Sequence, residues 1–154
     1  MNLPQPGDTA PEFSAQTDSG EPISLSDFRG KNIVLYFYPK ADTPGCTTEA
    51  CNFRDDYSAY EKKDVVILGV SPDTVKKQAN FKQKFELPFT LIADEEHAIS
   101  DRYGVWGPKK FMGKEYEGVH RTTFLINQKG KISQIFEKVK PGIHSAEILA
   151  ALEP

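Results

Sequence analysis

Pro39-Lys-Ala-Asp-Thr43-Pro-Gly-Cys46-Thr-Thr-Glu-Ala-Cys51 follows the apolar run Ile33-Val-Leu-Tyr-Phe-Tyr38 and precedes a stripe of Ala50, Phe53, Tyr57 and Tyr60. The run reads as a buried strand, and the stripe, spaced three, four and three apart, reads as a helix. The stretch is therefore a strand-to-helix turn. Thr43 reads as the N-cap, its hydroxyl accepting an N–H of the first turn, with Pro44 at the first helical position where a missing N–H costs nothing. Cys46 then falls in the first turn, on the side facing the core. Unpaired N–H groups and the positive end of the helix dipole gather there, and both favour a thiolate over a thiol. Cys51 follows five residues later. On an ideal helix that separation is roughly 140° of rotation and roughly 8.6 Å between Cα atoms. A disulfide needs about 7 Å or less. The two cysteines can therefore bond only if the start of this helix unwinds.

Outward from this turn the chain reads as alternating strands and helices. Before it stand an extended arm over 1–12, a hairpin of Phe13–Thr17 and Pro22–Leu25 around Asp18-Ser-Gly-Glu21, and a short turn over 26–30. After it the helix runs to about Lys62, followed by a strand over 65–70 and a helix from Ser71-Pro-Asp73 to about Phe85. A strand over 89–93 and a short helix ending at Tyr103-Gly104 come next. Residues 105–120 read as loop with room for a small hairpin. Strands over 122–126 and 132–137 flank Asn127-Gln-Lys-Gly130-Lys, and a last helix covers about 145–152. This order predicts an α/β fold with a central mixed sheet covered by helices. It matches a thioredoxin-like core with an N-terminal hairpin extension, in one domain over 1–154. Sites in such sheets lie at the carboxyl ends of the parallel strands. If the strand 122–126 runs antiparallel beside 33–38, it begins at that end and places Arg121 near Cys46, where a guanidinium would further stabilise a thiolate.

Composition sets the limits. The 154 residues suffice for a real core, and 19 basic against 22 acidic residues give a net charge of −3 with no basic block, which argues against nucleic-acid binding. Two cysteines are too few for a secreted disulfide scaffold. The start MNLPQPGDTAPEF has neither a charged nor an apolar leader region, and no apolar run approaches a membrane span, so a soluble, cytoplasmic protein is expected.

Other groups have quieter readings. Cys51 taken alone is an ordinary small hydrophobe. Thr43 could serve as a cap alone, and Arg121 has two readings, thiolate partner or half of a surface ion pair. His97, His120 and His144 read as ordinary surface or core histidines, Lys76-Lys77 and Lys109-Lys110 as solvated faces, and Trp106 as core or pocket wall. Cys46, Cys51 and His120 are too few for a metal site. Asp55-Asp56 and Glu95-Glu96 are adjacent pairs that face different ways on a helix.

Pro39, Thr43 and Cys46 match the Pro-x-x-x-Thr-x-x-Cys signature of the peroxiredoxins. The string from Tyr38 to Cys51, with Tyr103-Gly-Val-Trp-Gly107 and Arg121-Thr-Thr-Phe-Leu-Ile126, resembles the bacterioferritin-comigratory, or Q-type, branch. The resemblance implies that Cys46 is the peroxidatic cysteine, that Thr43 and Arg121 hold the peroxide oxygens and the thiolate, and that Cys51 is the resolving cysteine. It implies a peroxide substrate and recycling by thioredoxin or a glutaredoxin-like reductant. Many members of the branch are monomers, and no metal, flavin or nucleotide is needed. A thioredoxin-like disulfide reductase would want Cys-x-x-Cys, whereas four residues separate the cysteines here. A redox sensor using the same cysteine switch is the other alternative.

Overall fold

The computed structural model describes residues 2–152. Met1 of the expected arm and residues 153–154 lie outside the described residues. The strands are β1 (Ser14–Thr17), β2 (Pro22–Ser24), β3 (Asn32–Phe37), β4 (Val65–Ser71), β5 (Thr90–Ala93), β6 (Trp106–Phe111), β7 (Lys114–Val119), β8 (Thr122–Ile126) and β9 (Ile132–Phe136). The helices are α1 (Pro44–Asp55), α2 (Tyr57–Lys62), α3 (Val75–Phe85), α4 (Ala98–Arg102) and α5 (His144–Ala151), and Leu25–Phe28 forms a single 3₁₀ turn. Among the described residues no helix is long and apolar enough to cross a membrane.

Seven strands form one mixed sheet in the order β2-β1-β5-β4-β3-β8-β9. β3, β4 and β5 are parallel, as helical crossovers require, and β8 lies antiparallel to β3. Both faces are covered, so β3 is apolar from Ile33 to Phe37 rather than alternating. Its odd residues Ile33, Leu35 and Phe37 enter one core with α4 and the N-terminal arm. Its even residues Val34 and Tyr36 enter the other, together with Tyr38 and the buried residues of α1, α3 and α5. The register pairs Phe37 with Thr122, which brings the start of β8 to the carboxyl end of β3. The expected antiparallel neighbour is therefore present, and it fixes where Arg121 stands.

Two expectations need correction. The helix expected to run to Lys62 is two helices, broken at Asp56, whose backbone sits at φ −94° and ψ 5°. The break coincides with a tertiary contact, since the Ser145 hydroxyl donates to Asp56 Oδ2 at 2.7 Å. Residues 106–119 hold a complete hairpin, paired from Trp106–Val119 to Phe111–Lys114. Met112 and Gly113 at its tip both have positive φ, the pattern of a tight two-residue hairpin turn.

Candidate active site

The site is built at the strand-to-helix turn after β3. The turn is pinned from the next strand: Asp73 Oδ2 accepts the Ala41 N–H at 2.7 Å and the Ser71 hydroxyl at 2.7 Å. Gln78 extends this buried network, donating to the Ser71 hydroxyl at 2.8 Å and accepting from the Tyr38 hydroxyl at 2.6 Å. Asp42 takes a left-handed conformation, φ 59°, and turns the chain into α1.

Thr43 is the residue before α1 and Pro44 is its first residue, as the sequence predicts. The cap itself differs. The Thr43 hydroxyl makes no bond to the first turn. It donates instead to the Lys40 carbonyl at 2.7 Å, because the turn at Asp42 brings that carbonyl within reach. The Thr43 carbonyl accepts the first helical bond, from the Thr47 N–H at 2.8 Å. The N–H groups of Gly45 and Cys46 stand before that bond, where the helix supplies no acceptor.

Cys46 is 1% exposed and packs with Tyr36, Tyr38 and Ala50. Arg121 reaches it from the start of β8: Nη2 donates to Cys46 Sγ at 3.3 Å and Nη1 to Glu49 Oε1 at 2.8 Å. Its two sequence readings meet here: it contacts the thiol and also closes an ion pair, with the buried Glu49 rather than at the surface. Gly45 makes room for this fork, since a Cβ there would stand 3.3 Å from Arg121 Nη2. The guanidinium thus joins two groups one helical turn apart on α1. Burial alone would lower the Arg121 pKa, but Glu49 and Cys46 more than reverse that, so its charge is secure.

Cys51 is half-buried further along α1, and both cysteines are free thiols. An intact α1 spans both, so the separation that forbids a disulfide on a regular helix applies. Of the expected residues, Cys46 and Arg121 are in direct contact, Thr43 stands at the helix start with its hydroxyl turned to Lys40, and Cys51 is held away.

Glu49 was not singled out by sequence reasoning. A carboxylate three residues after a candidate nucleophile, on the same side of a helix, is the signal that could have found it. Its side chain is buried, and Oε2 has no hydrogen-bond partner among the described residues. Burial raises its pKa to about 7, and the ion pair with Arg121 recovers only part of that cost. The Tyr36 hydroxyl is likewise buried without a partner among the described residues, and its ring lies on Gly69 of β4.

Lys109 departs from its expectation as a solvated cation. It is half-buried and donates to the Val119 carbonyl at 2.8 Å. Burial, and then the positive charge of Arg121, lower its pKa, which Cys46 partly offsets. His144 is a core histidine, held between the Thr123 hydroxyl at 2.7 Å and Glu147 at 3.0 Å. Trp106 stacks on His97 with ring centroids 3.8 Å apart.

A buried cysteine at a helix start, bridged by an arginine, can hold a thiolate and stabilise charge that develops beside it. Proteins of known kind resemble this chain in sequence and fold. The family model for AhpC/TSA matches residues 6–135. Peroxiredoxin Bcp of Bacillus subtilis is 50% identical over 147 residues, covering 96% of this chain and 94% of its own. The structure of Xanthomonas campestris peroxiredoxin Q superposes with a TM-score of 0.88 at 37% identity, over 97% of this chain and 94% of that one. The bacterioferritin comigratory protein of the same organism also gives a TM-score of 0.88, at 36% identity over 97% of this chain and 95% of that one. It was solved as trapped intermediate and ligand complexes bearing on its alkyl peroxide reduction activity. The chain belongs to the AhpC/TSA family, in the Bcp or Q-type branch of the peroxiredoxins.

Proposed function

We propose that the protein reduces hydrogen peroxide and organic hydroperoxides with Cys46 as nucleophile, Cys51 as resolving thiol, and Thr43 and Arg121 as the groups that hold the reacting oxygens. The observation that carries this reading is the 3.3 Å contact of Arg121 Nη2 with the buried Cys46 sulfur at the start of α1. The Cys46 thiolate attacks the terminal oxygen of the hydroperoxide. An S–O bond forms, the O–O bond breaks, and the departing oxygen takes a proton and leaves as water or an alcohol. Cys46 becomes a sulfenic acid. Negative charge passes from sulfur to the leaving oxygen, both within reach of one guanidinium, so stabilisation is in place before the reaction begins. The Thr43 hydroxyl gives its hydrogen to Lys40, which leaves its oxygen free to accept the substrate's O–H.

Resolution needs α1 to open at its start. Cys51 then attacks the sulfenic sulfur, an S–S bond replaces the S–O bond, and the oxygen leaves as water. Thioredoxin or a glutaredoxin-like dithiol opens the disulfide by exchange. No metal or organic cofactor enters these steps. The reading treats residues 1–154 as one domain, because one sheet takes strands from β1 to β9, and it has the protein work as a cytoplasmic monomer. The test is peroxide consumption in a thioredoxin-coupled assay. Cys46→Ser is expected to show no turnover, and turnover at the wild-type level in that variant would overturn the reading.

A further inference from the structure

One side of α1 carries Gly45, Glu49 and Asn52, and Asp56 at its C-cap continues the line, spaced four, three and four apart, so they form a single stripe. Every member of the stripe meets another part of the chain. Gly45 lies under Arg121 and Pro141, with a built Cβ 3.8 Å from Pro141 Cγ. Glu49 accepts from Arg121. Asn52 Nδ2 donates to the Pro141 carbonyl at 3.0 Å. Asp56 accepts from Ser145, whose carbonyl also accepts the Tyr60 hydroxyl at 2.9 Å. Of residues 137–143, between β9 and α5, all but Val139 and Pro141 are exposed, and Pro141 is the one that meets α1.

A Cys46–Cys51 disulfide requires residues 46–51 to leave the helix. What lies beyond them is anchored: Phe53 is fully buried in the core, and Arg54 donates to the Phe85 carbonyl at 2.8 Å. Asn52 is the first residue past Cys51. Its bond to Pro141 fastens the junction between the part of α1 that must open and the part that stays. Neither Asn52 nor Pro141 touches Cys46 by a hydrogen bond, so this contact acts on the opening and not on the attack.

We infer that the Asn52–Pro141 hydrogen bond is a latch that sets how often the start of α1 opens, and hence the rate at which Cys51 resolves the Cys46 sulfenic acid. The inference rests on the function proposed above. Asn52 is a positioning residue here, acting through the helix that carries the two sulfurs. Loss of one such bond makes the open form more frequent by about fivefold. A faster opening also shortens the life of the sulfenic acid, which lowers its conversion to sulfinic acid when peroxide is in excess.

The experiment is rapid-quench mass spectrometry of the reduced full-length protein mixed with one equivalent of hydrogen peroxide. It reads the second-order appearance of the sulfenic acid and its first-order decay to disulfide separately. In Asn52→Ala and Asn52→Asp, neither of which can donate to Pro141, the decay is expected to be about fivefold faster, with the appearance rate unchanged. Pro141→Gly keeps the carbonyl but loosens its backbone, and is expected to accelerate the decay by less. Amide exchange of residues 46–50 in the reduced variants should rise with the decay rate. A decay rate equal to or slower than wild type in folded variants, with normal sulfenic acid formation, would overturn the latch. Should the wild type form no sulfenic acid at all, the functional reading fails instead, and the two failures are thus distinct. If Asn52→Ala does not fold, Pro141→Gly and the exchange measurement decide.

Discussion

The two sides of α1 are held by different forces. Cys46, Ala50 and Phe53, all 1% exposed or less, pack into a core with Val34, Tyr36 and Ile148. That attachment is apolar and non-directional, and it does not depend on charge. Glu49, Asn52 and Asp56 hold the adjacent side, about 100° round the helix, through directed contacts to Arg121, Pro141 and Ser145. Those contacts depend on donors, acceptors and ionisation. In the proposed reaction, oxidation of Cys46 changes the atom that Arg121 Nη2 contacts, while Ala50 and Phe53 keep their apolar packing. A helix that must be rigid for attack and open for resolution can meet both needs if one side is permanent and the other conditional.

Substitutions on the two sides should therefore differ in kind. Phe53→Ala is expected to cost about 3–5 kcal/mol of stability, the usual loss for a large core aromatic. Urea unfolding measures it, and a loss below ~1 kcal/mol would mean that the core side is not the permanent one. Arg121→Leu strikes the other side. Sulfenic acid formation is expected to slow by about 10²–10³, the effect of removing one pre-set donor at a developing charge. Stopped-flow oxidation reads this, and an unchanged rate would remove the arginine from the chemistry.

Glu49→Gln gives a smaller effect, visible in its pH dependence. The folded-state pKa of Glu49, about 7, lies above the ordinary carboxylate value of 4.5 because of burial. The folded protein therefore holds a proton that the unfolded chain gives up. The stability this contributes is complete below the ordinary value and is lost as pH rises through about 7. The wild type should lose stability relative to Glu49→Gln between pH ~5 and ~8, by at most about 3 kcal/mol. Urea midpoints at the two pH values check this, and parallel profiles would show that the buried carboxylate imposes no such cost. Asn52→Ala, with its about fivefold change in one rate, is the mildest break of the conditional side.

The apolar side of α1 was open to reading from the sequence because it is local. Cys46, Ala50, Phe53, Tyr57 and Tyr60 lie on one periodic stripe, and Pro44 marks its start. Arg121 was legible for another reason: the topology allowed it to be placed at the end of an antiparallel neighbour of β3, and the register bears this out. The conditional side was not legible. The Asn52–Pro141 and Asp56–Ser145 contacts each join residues 89 positions apart, and no local pattern announces them. The same tertiary contact accompanies the break at Asp56 that periodicity alone had carried on to Lys62. Thr43 was rightly placed at the helix start, yet its hydroxyl found the Lys40 carbonyl, a competition that side-chain propensity does not resolve. The hairpin of β6 and β7 reads from sequence only as loop with room for a small hairpin, because most of its residues are exposed on both faces and show little alternation, and its tip is Met112-Gly113 rather than Asn-Gly.

The central claim is that Cys46 is oxidised at a pre-set arginine site and that Cys51 reaches it only when α1 opens. Intact mass of the fully reduced protein, taken after one equivalent of hydrogen peroxide with and without Cys51→Ser, tests it most directly. The account predicts a rapid loss of about 2 Da in the wild type, for an intramolecular disulfide, and a gain of about 16 Da in the variant, for a sulfenic acid held at Cys46. No mass change within minutes in either protein would contradict it, and would make Cys46 an ordinary buried thiol.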